Sequence, residues 1–174
     1  MKNLKSYNYG EKKPEIDQNT WIADDVVVYG DVQIEENVVV FPGSVIRGDI
    51  APVILKTGTV IQDGVLINPA VGNKTKIGEN CLIGFGSIIH GAVVGDNCII
   101  GARSLLMPGV KIREGSMIGA LSYVVRGTVP KGKVWLGIPA KEKRDITERD
   151  LQIWDIAKKT FREIAQKYKE SVLS

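Results

Sequence analysis

The chain holds one histidine and two cysteines among 174 residues, and aromatic residues make up only 6% of it. Two cysteines exclude a disulfide-stapled scaffold and any zinc site built on four thiolates. One histidine excludes every catalytic metal site that draws three imidazoles from a single chain. It leaves open a site to which several copies of the chain contribute. No uncharged apolar run approaches the roughly 20 residues a membrane-spanning helix needs. Met1 to Lys13 alternates charged and polar residues and lacks the apolar stretch of a secretion signal. These absences lead to the expectation of a cytoplasmic protein with no membrane partner. The net charge is only +3, from 23 basic and 20 acidic residues, which gives no electrostatic case for nucleic acid.

What is present is aliphatic and periodic. Hydrophobic residues form 44% of the chain, enough for the core of one domain. Aliphatic residues recur every six positions at Ile22, Val28, Ile34, Val40 and Ile46, then at Leu55, Ile61 and Ile67, then at Ile77, Ile83 and Ile89. After a one-residue deletion the period resumes at Val94 and continues through Ile100, Leu106, Ile112, Ile118, Val124, Pro130 and Leu136. Four residues after most anchors stands a small or β-branched residue, such as Val38, Ser44, Thr59, Cys81, Ser87 or Ser104. Glycine, asparagine and aspartate cluster between the two, where corners need turn chemistry. A helix has a period near 3.6, and a plain strand alternates in twos without corners. The pattern therefore predicts hexapeptide repeats winding a parallel β-helix over residues 1–143, with three short strands per coil. Past Pro139 the period stops. Thr147 and Asp150 form a capping signature ahead of Leu151, Trp154, Ala157, Phe161, Ile164, Ala165, Tyr168 and Val172, which predicts one amphipathic helix over 147–172 packed on a coil.

Hexad phase places side chains. Residues at one hexad position three hexads apart stack on one face, with coils about 4.8 Å apart. Arg47, Asn68 and His90 follow stacked anchors and are predicted to form a column. Asp63 and Phe85 stack on a different face. Cys81 and Cys98 fall one coil apart at inward positions, as packed thiols or, with strained geometry, as a disulfide.

The segments Ile46-Arg47-Gly48-Asp49, Ile61-Gln62-Asp63-Gly64, Ile83-Gly84-Phe85 and Ile89-His90-Gly91 resemble the γ-class carbonic anhydrases, as do Leu136-Gly137-Ile138-Pro139-Ala140 and the terminal helix. The resemblance implies a left-handed β-helix and a homotrimer with a metal, usually zinc, shared between subunits. It implies that Gln62 lies near a metal-bound hydroxide, and that Arg47 and Asp49, with Asp63, form an interface charge network. It also assigns three histidine ligands to positions that here hold Asn68, Phe85 and His90. An asparagine amide is a poor zinc ligand beside imidazole, and phenylalanine offers no lone pair. One imidazole does not hold zinc in the tetrahedral geometry that lowers the pKa of bound water to about 7. The expectation is weak metal binding or none, through His90, with Asp49 or Asp63 of a neighbour as the remaining candidate ligands. CO2 hydration is then absent or altered, and a small molecule or anion occupies the subunit interface. Two alternatives stay open. One is a hexapeptide acyltransferase using coenzyme A thioesters, with His90 as base and Phe85 lining an acyl pocket. The other is a non-enzymatic trimeric scaffold or binding module.

Overall fold

A computed structural model describes residues 4–171. The chain winds as a parallel β-helix of triangular cross-section, followed by a short hairpin and one helix. The first face stacks Trp21–Ile22, Val39–Val40, Val60–Ile61, Leu82–Ile83, Ile99–Ile100, Met117–Ile118 and Lys133–Gly137 in parallel register. The second stacks Leu66–Asn68, Ile88–His90, Leu105–Leu106 and Tyr123–Val124 above the first halves of Val27–Ile34 and Val45–Leu55. Those two long strands bend round a corner, and their second halves continue the third face with Thr75–Ile77, Val93–Val94, Lys111–Ile112 and Thr128–Val129.

The core is the column of hexad anchors. Ile46, Ile61, Ile67, Ile77, Ile83, Ile89, Ile100, Leu106 and Ile118 are all fully buried. The small inward positions close the corners by hydrogen bonding to the next coil, since their buried hydroxyls need partners. Ser44 Oγ donates to the Gln62 carbonyl at 3.0 Å, and Ser104 Oγ to the Gly119 carbonyl at 2.9 Å. Cys81 and Cys98 occupy the same kind of position as free, buried thiols, donating to the Gly95 and Arg113 carbonyls at 3.0 and 3.1 Å. They are packed thiols, without a disulfide between them. Burial pushes the Cys81 thiol well up from its ordinary pKa.

The last two predicted anchors need correction. Val129, not Pro130, turns inward and pairs with Ile112, while Pro130 is exposed. Leu136 is 38% exposed, and Trp135 takes the place opposite Ile118. The physical reason is a second one-residue deletion after Val124, followed by departure from the solenoid. The chain there pairs antiparallel, Lys133–Gly137 with Ala140–Asp145, in a hairpin that the six-residue period did not anticipate.

The helix runs Glu148–Ser171, and Val172 lies outside the described residues. Its start is a reciprocal capping box: the Thr147 N–H donates to Asp150 Oδ2 at 2.9 Å, and the Asp150 N–H to Thr147 Oγ1 at 3.3 Å. Arg144 adds a charge-assisted pair to the same carboxylate and, with Thr147, holds its pKa below the usual range. The helix packs on the first face of its own coil. Trp154 and Ala165 join Val39, Phe41, Val60, Leu82 and Ile99 in a second buried cluster, with Phe161 against the edge of Phe41. Arg162 fastens it further by donating to the Gly58 carbonyl and to Asn80 Oδ1.

Candidate functional site

Two groups of side chains frame the second face. At its far edge, strand pairing sets His90 beside Asn68, and the pairing of Ile46 with Ile67 sets Arg47 one coil further along. Each follows a fully buried isoleucine, so alternation turns it outward. The backbone of this edge is well satisfied: the Asn68 carbonyl accepts from the Gly91 N–H at 2.9 Å and from Thr75 Oγ1 at 2.8 Å. The side chains are not. Among the described residues, Arg47 Nε, Asn68 Oδ1 and His90 Nδ1 are buried atoms without a hydrogen-bond partner. Arg47 Nε has only the longer 3.4 Å approach to Asp49 Oδ2. Buried polar atoms without a partner cost about 1–3 kcal/mol each, and three in one column require a cause.

At the near edge, the corner before Ile88–His90 carries Phe85, which is 50% exposed, with exposed Asp63 one coil below. The corners are locked together: the Gly86 N–H donates to the Asp63 carbonyl at 2.8 Å. Gln62 is buried, and its Oε1 accepts from the Phe85 N–H at 3.0 Å, so this amide fixes the backbone of the Phe85 corner. Within one chain, Asn68 and His90 come together, and Asp63 and Phe85 come together. The width of the face separates the two pairs. Between them runs an outward stripe of Leu66, Ile88, Leu105 and Tyr123, half-buried or exposed. Sequence reasoning passed over this stripe, although its signal is simple: these are the apolar or aromatic residues immediately before the buried anchors Ile67, Ile89, Leu106 and Val124 of a single face.

The donor set of this column does not suit zinc. It offers one imidazole and one amide oxygen, and Phe85 offers no donor. Among the described residues, no group of three or more histidine, cysteine, aspartate or glutamate side chains is placed to hold a metal ion. Nor is any helix there long and apolar enough to cross a membrane.

Fold and site together define a hexapeptide β-helix with one imidazole, one amide and one guanidinium left unsatisfied on an open face. The family profile for bacterial transferase hexapeptide, a six-repeat pattern, matches residues 13–48, 74–108 and 91–126. The mitochondrial γ carbonic anhydrase 2 of Arabidopsis thaliana is 34% identical over 91% of this chain, and this chain spans 60% of that protein's length. The carnitine operon protein CaiE of Salmonella agona is 31% identical over 87% of this chain and 77% of its own. A crystal structure of a Bacillus cereus protein, provisionally assigned as an acetyltransferase, superposes with a TM-score of 0.93 at 32% identity, covering 97% of this chain and 98% of that one. The chain belongs to the hexapeptide-repeat family, among the proteins related to γ-class carbonic anhydrases.

Proposed function

We propose that the chain is a cytoplasmic, γ-carbonic-anhydrase-like homotrimer whose ancestral metal site is degenerate. In this reading the interface binds a small oxyanion, bicarbonate or a carboxylate, without zinc. The unsatisfied column of Arg47, Asn68 and His90 carries the proposal. On one copy it faces the Asp63–Phe85 corner of the next, and the apolar stripe of Leu66, Ile88, Leu105 and Tyr123 supplies the surface buried between them. His90 donates to an anion, while the Asn68 amide, which carries both a donor and an acceptor, suits a hydroxyl or an oxygen. Phe85 stands where the third ligand would be. It closes the site with an apolar wall in place of a third metal bond. Arg47, Asp49 and Asp63 serve assembly as an interface charge network.

Light scattering, elemental analysis and a CO2 hydration assay on the purified protein test this reading. The expected result is a trimer with far less than one zinc per chain and hydration at background. Stoichiometric zinc with hydration well above background contradicts it.

A second reading is favoured by the likeness to the Bacillus cereus protein: acyl transfer from a coenzyme A thioester, with His90 as base. Calorimetric titration with acetyl-CoA separates the two. Binding supports acyl transfer, and the lack of binding removes it.

A further inference from the structure

The corner that bears Phe85 is built from a stack of tight turns, and above the Asp24–Asp25 turn each has one residue in the left-handed region. In three successive coils that residue is Gly43 at φ +72°, Gly64 at +64° and Gly86 at +65°. Glycine adopts this conformation without steric cost. In the coil directly above Phe85 the same place is held by Arg103 at φ +56°, and above it by Leu121 at +57°. Backbone bonds confirm the stacking: the Arg103 N–H donates to the Phe85 carbonyl at 2.9 Å, and the Leu121 N–H to the Ala102 carbonyl at 2.9 Å. At the corner where Asn37, Asn80 and Asn97 take positive φ, asparagine tolerates it. A long cationic side chain has no such aptitude, so the strain at Arg103 marks a position where the side chain is needed.

Nothing among the described residues explains that need. Arg103 is exposed, and among the described residues its guanidinium has no carboxylate within ion-pair distance and no hydrogen-bond acceptor. Its stem lies back against the Phe85 turn, with Cγ 3.4 Å from where a Cβ on Gly86 would stand. Its neighbours along the corner, Ala102 and Ala120, are small and leave the space beside Phe85 open.

We infer that Arg103 is the residue that holds the charge of the bound oxyanion in the shared site. The inference rests on the degenerate-trimer reading above. A threefold axis parallel to the solenoid sets equal coils of neighbouring copies at equal height. Phe85 of one copy then faces His90 of the next, and Arg103 stands one coil spacing, about 4.8 Å, above Gly86, the residue that follows Phe85 in its turn. A guanidinium there reaches back over the phenyl ring toward the imidazole and pairs a planar carboxylate or bicarbonate through two parallel N–H bonds. Leu121, one coil further, caps the site with apolar surface. A fixed organic cation thus supplies the positive charge that a metal would otherwise bring to this interface.

The test titrates the intact protein with bicarbonate, and separately with acetate, in the wild type and in Arg103→Gly, Arg103→Lys and His90→Ala. The expected result is at least tenfold weaker binding of both anions in Arg103→Gly, with a melting temperature unchanged or a few degrees higher because glycine suits the left-handed turn. Arg103→Lys should fall between, since lysine keeps the charge and loses the fork. Binding within twofold of wild type in Arg103→Gly, or a lowered melting temperature in that variant, overturns the assignment. If His90→Ala weakens binding and Arg103→Gly does not, only the role of Arg103 fails. If neither variant changes binding, or the wild type binds neither anion, the shared-site reading fails with it.

Discussion

His90 and Asn68 sit in register on neighbouring strands, one coil apart, and each buries a polar atom that nothing among the described residues satisfies. Such a pair is a net cost to the isolated chain, because desolvation is incurred without a bond in return. Asn68→Leu is therefore expected to leave unfolding stability within about 1 kcal/mol of wild type, or to raise it. The same change should weaken binding of bicarbonate or acetate. Urea denaturation beside an anion titration checks both. A loss of stability of about 2 kcal/mol or more would show that the amide serves the fold.

The two cysteines give a prediction of opposite character. Both thiols are buried and donate to carbonyls of adjacent coils, and burial holds Cys81 in its neutral form at ordinary pH. Only the thiolate reacts quickly with alkylating agents. In native buffer, iodoacetamide should modify Cys81 negligibly, and mass spectrometry should find no disulfide. Both residues should be labelled fully after unfolding in denaturant.

Docking of the helix rests on one apolar cluster, so single truncations within it should be visible. Trp154 is 6% exposed and sits among Val39, Val60 and Leu82. Trp154→Ala should cost about 3 kcal/mol by large-to-small core truncation. Unfolding followed by tryptophan fluorescence and by far-ultraviolet dichroism should then separate into two transitions, the helix leaving first.

Asp150 links stability to pH. Hydrogen bonds from Arg144, then from Thr147, hold its carboxyl below the ordinary value of about 3.9. A folded-state pKa below the unfolded one stabilises the fold above the unfolded value, and the contribution is lost as pH falls toward the folded value. Asp150→Ala should cost about 1 kcal/mol at pH 7. The gap from wild type should narrow at pH 3, as measured by urea unfolding at both values.

The repeat was readable because burial at the anchors leaves no choice of residue. Ile61, Ile83 and Ile100 must be large and aliphatic in every coil, and their spacing announces the solenoid. The register of Asn68 with His90 and the stacking of Asp63 with Phe85 followed from the same spacing. The end of the solenoid was not readable in this way. Pro130 and Leu136 keep the six-residue rhythm by coincidence, while Val129 and Trp135 take the register positions opposite Ile112 and Ile118. A pattern of residue types does not register a deletion when a plausible residue stands at the expected place. Nor does periodicity show the bond from the Phe85 N–H to Gln62, or the strained backbone at Arg103. Both depend on corner geometry, which many sequences satisfy.

A scaffold that has kept its shape and lost two metal ligands should regain the metal when those ligands are restored. The most direct measurement is zinc content, with CO2 hydration, of the wild type and of the double variant Asn68→His/Phe85→His. The expected result is little zinc and background hydration in the wild type, with one zinc per chain and measurable hydration in the double variant. A double variant that folds and assembles as the wild type does, yet binds no zinc, would contradict the account.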